Sequence, residues 1–515
     1  MNAFLSKCKL LAGFSAVALT AFSGCTKDFV ELNTNPNAVS TLTPEFLFTK
    51  AEYDGVGNTL YLLLGTMQYT TSFNDVAGFG SKYIASQVNT SSSSFSSAYP
   101  GALNELSLII NAVKDDPARV NLLAEARIWR VYCYSRLTDV YGDIPYSQAT
   151  TGYTNNLFTP AYDAQKDIYA DMLKELDEAA QSLDPAKATY GTADLIYNGN
   201  TTQWKKLAYS LMLRLGMRLT KVDAASAQTW VTKALAGGVI TADGDIAKVT
   251  YLASGQIINQ NPLAYLLYNQ DYIAANGSTN QEGGKYQDVF INYLKQTRDP
   301  RLGVVSVVYT GGSPNVPDTT FAKQQGMPAN LSAKPANFAQ LSEPNPKTVL
   351  LRNSPILVFT AAESYFLQTE AALRGWSSGT PASTLYANGV SAGLRQWSII
   401  SLGASDGTIP ASKINAYVSR NPLVTGSFAQ QMQQLYTQFW VSIFPDAQEA
   451  FASYRRTGYP ALTPNNYPGN ATGGQIPRRF LYPLSEQNLN ATSYAAAIAR
   501  QGPDNLLTRV YWDKQ

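Results

Sequence analysis

Apolar positions along this chain recur mostly at helical spacing. Leu122 to Tyr146, LLAEARIWRVYCYSRLTDVYGDIPY, contains no Gly or Pro until Gly142 and Pro145. Ala, Leu, Arg and Glu supply helix propensity, and Gly142 stands where a left-handed C-terminal residue is wanted. Ile128, Trp129, Val131, Tyr132, Tyr134 and Leu137 point around most of the circumference instead of along one stripe. A helix apolar on several sides is packed between neighbours. Asp163 to Leu183 follows, with Ile168, Met172, Leu176, Ala179 and Leu183 at steps of 4, 4, 3 and 4. Its other face is charged (Asp167, Asp171, Lys174, Glu175, Asp177, Glu178), and Pro185 ends it. Two such helices joined antiparallel, the first buried on both sides, form the unit of a tetratricopeptide-like stack. The pattern predicts a mainly all-α fold: a helical-repeat scaffold with long irregular loops and a few short β-strands.

Further helices are predicted for Pro44 to about Leu64, Gly101–Val113, Trp204–Leu219, Ser226–Leu235, Lys285–Thr297, Pro355–Arg374, Thr384–Ile399 and Gln430–Ala452. The repeat helices thus fall at about 101–235 and 355–400. Val304–Tyr309, β-branched and preceded by Gly303, reads as a strand. Thr70–Pro100 and Gly255–Tyr286 read as loops, the first with scattered aromatics and a serine run, the second rich in Asn, Gln and Tyr. Loops this long inside a compact domain are functional or disordered, and the tyrosines argue against disorder. Asp243-Gly244-Asp245 reads as a turn, because Ser254 stands where a calcium loop needs its bidentate Glu.

Composition narrows the chemistry. Charged residues are only 15% of the 515, with 32 Tyr and no His. The lack of His removes His-based acid/base catalysis, Ser-His-Asp and Cys-His triads, and His-ligated zinc or haem. No phosphate loop, dinucleotide fingerprint or metal-ligand spacing is present, so neither a cofactor nor a metal is expected. Lys7 and Lys9 precede an apolar run, Leu10–Phe22, and then Ser23-Gly24-Cys25. This is a secretory leader, too short to span a membrane as a mature helix. It resembles a bacterial lipoprotein signal, which implies cleavage before Cys25 and acylation of Cys25, and so membrane attachment through an N-terminal lipid. Apart from those two lysines, basic and acidic residues balance at 37 each, leaving no electrostatic footprint for nucleic acid. Cys133, alone in the body, is expected to be a buried apolar residue. The expected organisation is residues 1–24 as signal peptide, 25–43 as lipidated tether and 44–515 as a single domain.

AEARIWRVYCYSRLTDVYGDIPY, residues 124–146, resembles the first repeat helix of the SusD/RagB family of nutrient-binding outer-membrane lipoproteins. The likeness recurs at Asp28-Phe29 with Asn33-Thr34-Asn35-Pro36-Asn37, at Asp299-Pro300-Arg301-Leu302 and at Pro355–Arg374. Arg478-Arg479-Phe480-Leu481-Tyr482-Pro483, with Glu486 and Asn490, is similar residue by residue to the family's R-R-F-x-Y-P-x-x-E-x-x-x-N string. Arg478, Arg479, Tyr482, Pro483, Glu486 and Asn490 are expected to be structural, the arginines tying carbonyls and carboxylates near helix ends. The resemblance implies a surface-exposed outer-membrane lipoprotein that captures a nutrient and delivers it to a partner, a SusC-like TonB-dependent β-barrel transporter.

The remaining chemistry is binding. Neutral glycans are held by aromatic faces, with amides and hydroxyls reading the OH groups. The two loops have that makeup, and Phe79, Tyr83, Tyr272 and Tyr286, with Asn89 and Asn269, are the candidate ligand residues. An oligosaccharide is the expected cargo and a peptide the first alternative. A tethered glycoside hydrolase using paired carboxylates is the alternative from another class, and it requires two acids facing each other across a cleft. The expectation is a binding protein, not an enzyme.

Overall fold

The computed structural model describes residues 43–57, 60–73, 82–84, 92–268, 284–309, 317–377 and 379–514, so Cys25 and the tether lie outside the described residues. The first half runs α1 (Pro44–Gly55), α2 (Leu60–Thr66), β1 (Thr70–Thr71), α3 (Ser93–Ala98), α4 (Asn104–Val113), α5 (Val120–Tyr141), β2 (Ile144–Pro145), β3 (Tyr162–Asp163), α6 (Gln165–Ser182), α7 (Thr201–Arg218), α8 (Ala224–Gly237) and β4 (Ala247–Val249). The second runs β5 (Lys285–Tyr286), α9 (Asp288–Gln296), β6 (Ser306–Val307), β7 (Glu343–Pro344), β8 (Ile356–Phe359), α10 (Ala361–Leu373), α11 (Ala382–Ile400), α12 (Ala411–Arg420), α13 (Phe428–Ile443), α14 (Ala447–Thr457), α15 (Leu484–Leu489) and α16 (Ala491–Gln501).

Helices adjacent in sequence pack on one another. The succession α4 to α8 forms one run, α10 with α11 and α13 a second, and α7 meets α10 to join them. This is a tetratricopeptide-like helical scaffold, and Pro44–Gln515 is one compact unit. The described strands form two-stranded antiparallel pairs only: β1 with β5, β2 with β3, β4 with β8 and β6 with β7. Among the described residues no helix is long and apolar enough to cross a membrane.

The girth of α5 has a physical reason. Nearly all its residues are buried, and Trp129 donates its indole N–H to Ala51 O of α1 at 2.8 Å. Gly142 ends it at φ +83°, its N–H on Thr138 O. A Cβ there would sit 1.7 Å from Gln501 Oε1, so the position needs glycine for space as well as for backbone sign. Gln501 of α16 in turn accepts from Asp143 N and donates to Tyr141 O, stitching the chain's end onto this helix. Cys133 is buried, and burial pushes its thiol pKa up.

The interior carries charge in pairs. Arg214 forks onto Glu363 at 2.6 and 2.7 Å, and Arg218 reaches Glu449 and Asp139. Arg456 forks onto Glu370 at 2.7 and 2.9 Å, and Arg301 pairs with Asp299. These links tie α5, α7, α10 and α14 together. One group departs from the rule. Glu52, Glu125 and Asp194 meet inside the fold without a cation, and both Glu125 oxygens lack a hydrogen-bond partner. Burial, reinforced by Asp194, raises the Glu125 pKa to about 9, a protonated acid at neutral pH.

Several expected boundaries differ. Ser93–Ala98, expected within a loop, is helical, because Phe95 buries among Tyr99, Tyr141 and Tyr482 and anchors the serines around it. The expected Pro44–Leu64 helix breaks after Gly55 into α1 and α2. Ile356–Phe359, expected as a first helical turn, is strand β8, where its apolar run packs beside Ala247–Val249. Val304–Tyr309 is strand only at Ser306–Val307, following a helical turn at Leu302–Val305. Gln430–Ala452 divides at Phe444-Pro445, where proline lacks the N–H to continue α13, and Asp446 caps α14.

Candidate ligand-binding site

The two candidate loops spring from a single corner of the fold. Thr70 and Thr71 of β1 pair with Tyr286 and Lys285 of β5, so the start of the first loop is bonded to the end of the second. Tyr286 N donates to Ser342 O at 2.8 Å beside β7, and Val308 exchanges hydrogen bonds with Asp318 at 3.0 and 2.9 Å. A third connection, 310–316, therefore leaves the same corner. Residues 463–471 close it from the other side. Thr463 O accepts from Gln68 Nε2, Ala471 N donates to Tyr83 O at 2.6 Å, and Asn465 donates to Ala329 O at 2.8 Å.

Two buried lysines tie the corner's footing together. Lys285 pairs with buried Glu343 and lies 4.5 Å over the Phe338 ring. Burial raises the Glu343 carboxyl although Lys285 opposes it. Lys82, also buried, donates to Phe73 O at 2.7 Å and stands 4.3 Å over the Tyr467 ring. Both lysines are engaged within the fold, while the exposed Lys334 lies 5.2 Å over the Phe338 ring from outside.

Of the candidate ligand residues, Tyr286 is fully buried: its ring packs on Phe290 and Phe444, and its hydroxyl donates to Val305 O at 3.0 Å. Tyr83 is buried too, with φ +53° and its hydroxyl on Thr66 O. Neither presents a ring face to solvent. Both were marked by loop composition, but Tyr286 sits in a strand and Tyr83 under its own turn, where an aromatic packs inward. Phe79, Asn89, Asn269 and Tyr272 lie outside the described residues.

Three tyrosines that composition did not mark occupy the corner's surface. Tyr268 leads into the second loop, Tyr309 into the third connection, and Tyr467 lies on the closing segment. Each is partly buried, and among the described residues no hydroxyl of the three has a hydrogen-bond partner. Burial first, then Glu343 and Tyr268, raise the Tyr309 pKa, which puts Tyr309 beside both. Arg352 lies 5.0 Å over the Tyr268 ring and covers one face. The signal available in sequence was position: Tyr268 and Tyr309 each stand just before a Gly- and Asn-containing run.

The terminal string is built as follows. Arg478 forks onto Asp513 and donates to Arg455 O at 3.1 Å. Arg479 is fully buried, 3.1 Å from Asp504 and 4.4 Å over the Tyr482 ring. Tyr482 donates to backbone oxygens at the end of α5, Tyr141 O and Asp143 O. Glu486 accepts from Tyr162 Oη at 2.9 Å, and Asn490 donates to Pro160 O at 2.9 Å, with Pro483 between them and Tyr482. The Arg478 and Arg479 contacts brace the C-terminal segment on itself and on α14, and those of Tyr482, Glu486 and Asn490 fasten it to the end of α5 and to the β3 region.

Hydrolysis asks for two acids across an open cleft. The most closely associated acids without cations, Glu52 and Glu125, are fully buried and closed off from water. Asp243 and Asp245, at a 3-10 turn, are taken by Arg395 at 2.7 Å and Lys206 at 2.6 Å. Among the described residues no group of His, Cys, Asp or Glu is arranged to hold a metal ion.

A family model described as "Starch-binding associating with outer membrane", SusD-like, matches residues 36–483. The chain belongs to the SusD-like family. Solved structures of SusD-like proteins share its architecture. A chitin-binding protein is 30% identical with a TM-score of 0.78, covering 92% of this chain and 100% of its own. A Bacteroidetes AC2a SusD-like protein is 25% identical with a TM-score of 0.81, covering 92% and 100%. A chitin-binding SusD homolog from Flavobacterium johnsoniae is 25% identical with a TM-score of 0.71, covering 92% and 98%. No curated protein matches the sequence. In this SusD-like chain exposed aromatics stand on the helices as well as at the strand-pair corner, Phe46 of α1 and Phe428 of α13 among them.

Proposed function

We propose that the protein is a glycan-capturing lipoprotein of the outer membrane, anchored through acylated Cys25 at the cell exterior. It would hand its cargo to a SusC-like TonB-dependent transporter. The observation that carries the reading is the corner itself: tyrosine-, asparagine- and glycine-containing segments that meet at two short strand pairs, with Tyr268, Tyr309 and Tyr467 partly exposed beside them. Rings supply stacking surface for the apolar faces of pyranoses, and unpartnered hydroxyls supply donors and acceptors. The 30% identical relative named for chitin binding supports a carbohydrate, and an N-acetylated one as the first to try. Phe79, Tyr272, Asn89 and Asn269, outside the described residues, stay candidates on loop composition alone. The helical stack provides the stiff body on which such a surface is held.

The test is an array of chito-, malto-, cello- and xylo-oligosaccharides together with peptides, probed with the body that begins after Cys25. Saturable binding to a glycan class, weakened when Tyr268 or Tyr309 is replaced by Ala, is the expected outcome. Binding to peptides alone would reassign the cargo, and binding to neither would refute capture. Globomycin-sensitive processing at Cys25, abolished by Cys25→Ala, tests the anchor.

A further inference from the structure

Half of the terminal string faces a cavity that the corner does not share. Pro483, Ser485, Glu486 and Asn490 form one wall of a cleft of about 560 Å³. Tyr99 and Asn104, at the start of α4, form the second, and Leu157 to Pro160 the third. The volume falls in the ~300–1,000 Å³ range of small-ligand sites. None of its lining residues belongs to the corner built by β1, β5, β6 and β7.

The lining has a recognisable chemistry. Phe158 stands at the mouth 77% exposed, an unusual position for a phenylalanine in a body that buries most of its rings. Its ring rests against Gly152, where a Cβ would come within 3.2 Å of Phe158 Cε1, so glycine gives it its seat. Tyr99 is held in place by its hydroxyl on Pro145 O at 2.7 Å. Around these rings stand polar groups with capacity to spare. The Asn104 amide and the Ser485 hydroxyl have no protein partner, and Glu486 uses only Oε2 within the fold, leaving Oε1. The wall behind them is fixed: Asn490 is tied to Pro160 O and Tyr482 to the end of α5. No lysine or arginine lines the cleft, which argues against phosphates, acidic peptides and anionic lipid. A ring at the mouth, a free amide, a hydroxyl and one carboxylate oxygen on a rigid wall match a neutral sugar.

We propose that this cleft is a second carbohydrate site, taking a short neutral oligosaccharide independently of the loop corner. Phe158 stacks on a pyranose face, and Asn104 and Glu486 bind its hydroxyls. The proposal rests on the glycan reading above for the class of ligand only.

The experiment is isothermal titration of the full-length chain, in a detergent without sugar groups, with chitotetraose, maltotetraose, cellotetraose and xylotetraose. Saturation-transfer NMR on the same samples reports weak binding. The expected result is two sites per chain for at least one of the four. Phe158→Ala, and separately the pair Asn104→Ala with Glu486→Gln, weakens one of them about tenfold or more and leaves the other unchanged. Tyr268→Ala with Tyr309→Ala does the reverse. Phe158 is exposed enough for its loss to leave the fold intact, checked by an unchanged melting temperature. A single site, abolished by the corner variants and indifferent to Phe158→Ala, would overturn the second site while leaving the function standing. No binding to any of the four would overturn both.

Discussion

Two regions of this protein handle charge in opposite ways. Inside the helical stack, Arg214, Arg218, Arg301 and Arg456 are fully buried, and each is matched to a carboxylate on another element or a neighbouring turn. At the loop corner buried Lys285 pairs with Glu343, buried Lys82 donates to a backbone carbonyl, and three partly buried tyrosines stand near the loops. The low overall charge therefore does not mean a uniformly bland molecule. Ion pairs sit where they fix one helix against the next, because a buried charge tolerates only one geometry.

The difference can be broken first in the stack. Arg218→Met leaves Glu449 and Asp139 buried with their main cation gone. A loss of about 3–5 kcal/mol is expected in denaturant unfolding, with glycan affinity unchanged in whatever protein remains folded. The pH response of Glu370 comes next. Burial alone would raise its carboxyl, but Arg456 and Arg374 outweigh it and bring the pKa from 4.5 to about 2. A depressed acid stabilises fully above its unfolded value and loses that contribution as pH falls through the folded one. Stability should decline between about pH 4.5 and 2 by on the order of 3 kcal/mol from this group. Glu370→Gln should be weaker at pH 7 yet show a flatter curve below pH 4.5.

Glu125 sharpens the comparison from the other side, as a buried acid with no cation. Its pKa is raised to about 9, so its contribution is complete below about pH 4.5 and is lost progressively as pH rises toward 9. Glu125→Gln, which keeps the shape and forfeits no side-chain hydrogen bond, should stabilise the protein by on the order of 1–2 kcal/mol near pH 8. The gain should shrink toward pH 5, as melting curves across that range would show. The smallest effect belongs to the corner. Tyr268→Ala or Tyr309→Ala should cost about 1 kcal/mol of glycan binding, roughly fivefold in Kd, and leave unfolding untouched.

The stack was legible in the sequence because helical spacing is a local signal. The run Ile168, Met172, Leu176, Ala179 marked α6, and the many-sided α5 announced its own burial before any neighbour was known. Boundaries failed where a distant partner decides. Ile356–Phe359 is a strand because Ala247–Val249 lies beside it, and Ser93–Ala98 is a helix because Phe95 finds a pocket of tyrosines. The site was legible as a composition and not as residues. Tyr83 and Tyr286 have the right chemistry for a ligand, but β1 pairing and a positive φ turn them inward. Tyr268, Tyr309 and Tyr467 keep partial exposure, and nothing in local pattern distinguishes the two fates. The terminal string likewise announced itself, but its cleft appears only once Leu157–Pro160 is folded against it.

The central claim is capture by an aromatic corner without chemical change. The direct test is titration of the body after Cys25 with chitotetraose, beside its Tyr268→Ala/Tyr309→Ala variant, with the recovered sugar then analysed by mass. The account predicts saturable binding by the parent, about tenfold or more weaker binding by the variant at equal stability, and sugar returned intact. Cleaved sugar, or a variant that binds as tightly as the parent, would contradict it.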